Sequence, residues 1–230
     1  MTFLAFWILS FLTFLFAMIA LALFNKHKEN QRAAYIRTYA WPPGLLEKLS
    51  HKHAGFTRKE SALVSQGLRH FFLSYLKSGR QYVAMPSQVA DDLWHEFILY
   101  TREYKAFCDK AFGQFLHHTP AVVLSPNQSA SNAGLRRVWW HCCKEESISP
   151  SNPTRLPLLF ALDAKFKIPN GFVYSANCDA LRRNGAAGVQ CGSDFSSSSM
   201  DGSVEGFGES GSGDGDGGGG DGGGGCGGGD

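Results

Sequence analysis

The sequence lacks the short motifs that declare a chemistry outright. Its six cysteines, Cys108, Cys142, Cys143, Cys178, Cys191 and Cys226, include no CxxC pair, which argues against a ribbon-type zinc site. His95-Glu96 is followed by no second His at the offset of a metalloprotease helix. No Gly-rich stretch leads into a Lys and a helix, so there is no phosphate-cradling loop. No Ser-His-Asp arrangement stands out, and spacing does not support a Cys108 or Cys142 nucleophile with His141. Few segments alternate with period two, which argues against a substantial sheet. Two further absences are regional. Residues 3–24, "FLAFWILSFLTFLFAMIALALF", contain no charge, Pro or Gly, and no Lys or Arg follows Arg183.

The uncharged run, Phe3 to Phe24, is long enough for a transmembrane helix. At about 1.5 Å per residue it spans roughly 33 Å, against about 30 Å for a bilayer core. A cleaved signal peptide needs a basic leader, a shorter apolar run and a small-residue cleavage site. Only Met1 and Thr2 precede this run, and bulky Leu23 and Phe24 crowd its end, so it reads as an uncleaved anchor. Lys26, Lys28, Arg32 and Arg37 follow directly, against Glu29 alone. Basic flanks stay on the cytoplasmic side, which predicts a single-pass protein with its C-terminal domain in the cytoplasm. The same four cations can contact anionic lipid, each contributing about 1 kcal/mol. On the cytoplasmic side the cysteines are expected as free thiols.

The net charge of +2 conceals an asymmetry. Eight of the 20 acids lie after Arg183, leaving 22 bases against 12 acids in the first 183 residues. A basic body suits a membrane surface or an acidic partner. The bases are scattered, with Arg-Arg doublets only at Arg136-Arg137 and Arg182-Arg183, so nucleic acid is not the expected partner.

Apolar spacing predicts an all-α protein: a transmembrane anchor over 1–25, a basic helical stem over 26–40 and one compact multi-helix domain over 41–184. Trp41-Pro42-Pro43 breaks the stem. A short helix follows in "GLLEKLSHKH". Thr57 and Glu60 form a capping box for the next, which Gly79 ends. One continuous helix is predicted from Pro86 or Ser87 to Gly113, another in "SNAGLRRVWWHCCKEE", capped by Ser131 or Asn132, and a last between Pro157 and Pro169. "GFVYSANC" reads as one extended piece. From 185 to 230, Gly, Ser and Asp dominate, too little apolar surface to offset ordering entropy, so a disordered acidic tail is predicted.

The chemistry-bearing residues cluster around "DDLWHEFILYTREYKAFC", Asp91 to Cys108. On a straight helix the apolar residues share one arc that includes Trp94, Tyr104 and Cys108, so those three read as core. His95 lies roughly 140° from Cys108, and the two cannot share a metal. Asp92 falls well outside the arc, whereas Asp91 and His95 are four apart on one side and can touch. His117 and His118 follow, and His141 stands beside Cys142 and Cys143. A set drawn from Asp91, His95, His117 or His118, and His141 or a cysteine suits zinc or another transition metal. The competing reading is structural, with His95 hydrogen-bonded at a helix border, "HHTP" capping a helix end, and "WWHCC" packed in the core.

The block "MPSQVADDLWHEFILYTREYKAFCDKAFGQFLHHTP" resembles a bacterial group of membrane-anchored proteins, the glycine-rich domain-containing protein-like group, whose function is unknown. The shared pattern falls on Asp91, Trp94-His95, Tyr104 and Cys108, with His117-His118 and Pro120 behind. The broader group often has a second His soon after Trp-His; Phe97 stands there in this chain. The resemblance covers roughly residues 41–170 and implies the architecture of anchor, helical domain and Gly-rich end, in a bacterial inner membrane, with no activity attached. The leading expectation is therefore a membrane-anchored helical interaction module with a protein partner. The alternative is a metal-binding enzyme or sensor.

Overall fold

A computed structural model describes residues 2–118, 133–176 and 190–191. Seven helices are present among them: α1 Thr2–Thr38, α2 Leu45–Lys52, α3 Arg58–Lys77, α4 Gln88–Leu99, α5 Thr101–Ala111, α6 Ala133–Glu145 and α7 Leu158–Phe166. Two residue pairs, β1 Tyr174–Ser175 and β2 Gln190–Cys191, join in parallel. The fold is all-α, as the apolar spacing predicts. Beyond β2, the Gly-rich tail lies outside the described residues, as do Ser131, Asn132 and the Arg182-Arg183 doublet.

α1 is one unbroken helix, long and apolar enough near the N-terminus to cross a membrane. Its large apolar side chains from Phe6 to Phe24 are all exposed. Further along, Ala33 and Ile36, within the predicted stem, are buried in the domain core. Arg69 on α3 fixes this joint by donating to the carbonyls of Ile36 and Tyr39, both at 2.8 Å. Arg37 pairs twice with Glu145 of α6.

α3 is the central helix and packs against α1, α2, α4, α6 and α7. Both hydrogen bonds of the Thr57–Glu60 capping box are made, and Gly79, at φ +70°, follows the end of the helix. The core around α3 is aromatic. Phe71, Phe72, Phe97, Tyr104, Phe107, Phe112, Trp139 and Phe160 are all fully buried, and neighbouring rings meet tilted or edge-on, the favoured arrangement of aromatic quadrupoles.

The continuous helix expected from Ser87 to Gly113 is two helices. The chain breaks at Tyr100, whose φ/ψ of −81°/63° is not helical. The Tyr100 hydroxyl donates to the Pro43 carbonyl at 3.2 Å, and Lys48 lies over its ring. The break resets the helical phase, so that α5 turns Tyr104, Phe107, Cys108 and Ala111 inward. Asp92 also departs from the straight-helix expectation. The face it occupies is covered by α2, and Asp92 is buried against Lys52 at 2.6 Å and His53 at 2.9 Å.

Candidate functional site

The site begins at the N-terminus of α4. Ser87 caps the helix by accepting from the Ala90 N–H, and the Ser87 hydroxyl in turn donates to Asp163 of α7. The buried Asp163 carboxylate also accepts from the backbone N–H groups of Gln88, Val89 and Phe172. An anion at this end meets both free N–H groups and the positive end of the helix dipole. The first turn of α4 is thus fixed from outside, and Asp91 sits on it.

A second anchor holds the segment that carries His118. The indole N–H of Trp94 donates to the Tyr104 hydroxyl at 3.1 Å, and that hydroxyl donates to the Leu116 carbonyl. This chain ties α4, α5 and the stretch after α5 together in the core. Trp94, Tyr104 and Cys108 are all buried. Burial raises the pKa values of Tyr104 and Cys108, so both stay protonated.

Between these two anchors, Asp91, His95 and His118 meet. His118 Nε2 lies 3.0 Å from Asp91 Oδ1, and His95 Nδ1 lies 3.4 Å from Asp91 Oδ2. The two imidazole rings are 4.2 Å apart, and the Trp94 ring stands edge-on to His118 at 4.6 Å. One ligand atom from each of the three residues lies within 4.8 Å of the others. The Asp91 and His118 side chains are mostly buried at 21% and 17% exposure, while that of His95 is half exposed at 50%. The cluster opens into a cavity of about 380 Å³ walled by Phe71, Tyr75, Tyr82, Met85 and Leu116. The wall at Tyr82 is brought in by Gly134 of α6, where a Cβ would lie 2.6 Å from the Tyr82 ring and 2.9 Å from the Ala84 nitrogen.

The other candidates stand apart from this cluster. His117 lines the same cavity, but its ring stacks beside Phe115. His141 is buried on α6, its Nε2 without a hydrogen-bond partner, and burial, then the Lys77 charge, lower its pKa to about 4. Cys142 and Cys143 are buried free thiols, and desolvation raises both, Cys143 to about 12. A thiolate ligand or nucleophile at either position is therefore disfavoured near neutral pH. Sequence reasoning missed Asp163 altogether; a lone Asp inside "LLFALDAKF" gives no sign that it caps a helix more than 70 residues earlier.

A family model described as UCP032817-like matches residues 31–195, and the chain belongs to that family. No curated protein and no solved structure matches the chain.

Proposed function

We propose that this member of the UCP032817-like family is a single-pass membrane protein of a bacterial inner membrane, anchored by α1, whose cytoplasmic domain binds its ligand through a transition-metal ion held by Asp91, His95 and His118. The observation that carries this reading is the convergence of two imidazoles and one carboxylate at the mouth of a cavity. Two nitrogens and an oxygen make a donor set that suits zinc or another borderline divalent ion. Tetrahedral zinc at about 2.0–2.1 Å wants its donors about 3.4 Å apart. Asp91 lies 3.0 Å from His118 through one carboxylate oxygen and 3.4 Å from His95 through the other, and the exposed His95 ring is the one free to close the remaining gap. A bound ion would supply Lewis acidity to a ligand in the cavity. The chain's own residues do the rest. Asp163 fixes the turn carrying Asp91, Tyr104 fixes the segment carrying His118, and the aromatic wall selects an apolar body in the ligand.

His118 Nε2 and Asp91 are hydrogen-bonded to each other. Protons compete with a metal for imidazole and carboxylate donors, so binding weakens on acidification. Elemental analysis of the purified full chain tests the reading. One ion per chain is expected, with loss of at least about tenfold in affinity for Asp91→Asn or His118→Ala, the scale of losing one ligand, and no loss for His117→Ala. Sub-stoichiometric metal that neither substitution changes overturns it. That result, with a stoichiometric protein co-purifying from solubilised membranes, favours the interaction module instead.

A further inference from the structure

A second cavity, of about 560 Å³, lies where α1 leaves its apolar stretch and meets the domain. One wall is α1, with Asn25, Lys28, Glu29 and Arg32 recurring at three and four along a single face. The other wall is made by the ends of two helices, with Lys77 at the end of α3, Arg80 just past it and Gly113 after α5. Four cations therefore face one carboxylate, Glu29, and that carboxylate is paired at 3.0 Å with Lys26. Lys77 shares its charge with Glu145 at 2.7 Å.

Arg32 and Arg80 line the same cavity, and among the described residues no carboxylate is paired with Arg32. The Arg32 guanidinium donates to the Phe112 carbonyl at 2.7 Å and lies close against Gly113, at φ +76°, where a Cβ would collide with it. Its pKa is lowered by burial first and by the Arg80 charge second. Arg80 itself adopts φ +65°, a left-handed conformation that costs a non-Gly residue roughly 1 kcal/mol. Like-charge repulsion is thus concentrated on this one cavity, and an anion between the guanidinium groups relieves it.

Depth identifies the anion. Lys28 and Arg32 lie four and eight residues past Phe24, so about 6 and 12 Å beyond the last apolar residue of α1. A bilayer adds about 5–8 Å of headgroup on each side of its hydrocarbon core, so Lys28 stands within that layer and Arg32 just past it, with a side chain long enough to reach back. We propose that this junction binds the phosphate of an anionic phospholipid headgroup, gripped by Lys28, Arg32 and Arg80. Of the four cations expected from sequence to meet lipid, Arg37 is committed to Glu145, and Lys26, paired to Glu29, stands outside the cavity. Arg80, in a loop far from the anchor in sequence, takes their place.

The test uses the full chain in detergent, titrated with phosphatidylglycerol or phosphatidylcholine and followed by native mass spectrometry. One phosphatidylglycerol per chain is expected to be retained in preference to phosphatidylcholine. Arg80→Gln and Lys28→Gln should each weaken retention about tenfold, the loss of one charge-assisted contact. Lys26→Gln, the same charge change outside the cavity, should leave retention within about twofold. Equal losses for Lys26→Gln and Arg80→Gln, or equal retention of the two lipids, overturn the proposal in favour of diffuse surface attraction. Displacement of the lipid by inorganic phosphate at comparable concentration overturns it in favour of a free-anion site.

Discussion

His141 carries a pH dependence that can be worked out from its surroundings. Burial and the Lys77 charge bring its folded pKa from 6.5 to about 4. The folded protein keeps the imidazole neutral across that interval while the unfolded chain takes up a proton. The stabilisation is complete above about pH 6.5 and is lost as pH falls from there toward 4, because the unfolded state then binds the extra proton. The whole interval corresponds to roughly 3 kcal/mol. Glu145 behaves differently. Hydrogen bonds from Arg37, and then Lys77, hold its pKa near 2, so its contribution fades only below the ordinary carboxylate range of about 4.5. Urea unfolding between about pH 7 and pH 5, compared between wild type and His141→Gln, isolates His141: the wild-type midpoint should fall, and that of the variant should fall measurably less. Equal slopes would show that His141 is not the titrating group. The same scale explains why neighbouring residues part company. Asp91 turns to His95 and His118, while Asp92 turns to Lys52 and His53. A helical wheel gives the angle between the two side chains, but it cannot show that α2 covers the second. Nor can it choose between His117 and His118, which is settled by the tether on Leu116.

At the scale of elements, Asp163 does more than cap α4. Its carboxylate gathers four donors, three from residues 87–89 at the start of α4 and one from Phe172 at the cavity rim. Asp163→Ala leaves those donors buried without a partner and should destabilise the protein by on the order of 3 kcal/mol. Removing the local cap alone, by Ser87→Ala, should cost about 1 kcal/mol. If metal binding rests on the Asp91 turn, Asp163→Ala should also weaken metal retention at temperatures where the protein remains folded. Thermal melts read alongside metal titration separate the two effects, and a stable Asp163→Ala variant with unchanged melting would show that the cap is redundant. The helices with local punctuation are legible in the sequence, because Thr57, Gly79 and Ser87 act through bonds within a few residues of themselves. The break at Tyr100 is not legible. No Gly or Pro stands there, and the forces that shape it come from Pro43 and Lys48, more than 50 residues upstream. The candidate site is legible in part for the same reason: Asp91 and His95 are four apart on one helix, whereas His118 joins them only through a tertiary tether.

At the scale of the whole molecule, α1 and the domain are one mechanical unit. The helix that carries the apolar stretch ends inside the core, where Ile36 is fully buried and Ala33 nearly so. Arg69 depends on this segment. It donates to Ile36 and Tyr39 and lies over the Trp41 ring at 4.7 Å. A fragment beginning at Trp41 would keep the predicted domain but lose Ile36, Tyr39, the Arg37–Glu145 pair and both acceptors of a half-buried guanidinium. Burial of one Ile is worth about 2–3 kcal/mol, and each acceptor lost to a buried donor costs about 1–3 kcal/mol. The total is a large share of the roughly 5–15 kcal/mol that holds a domain folded. A fragment beginning at Asn25 lacks the apolar stretch but keeps every one of these contacts. Differential scanning calorimetry of the two fragments should therefore give the shorter one a melting temperature lower by about 10–20 °C, or no cooperative transition at all. Equal melting temperatures would mean that the end of α1 is a tether laid on a finished domain. A large difference would mean that any displacement of α1 is felt directly at α3, the helix whose Phe71 and Tyr75 wall the cavity beside His118.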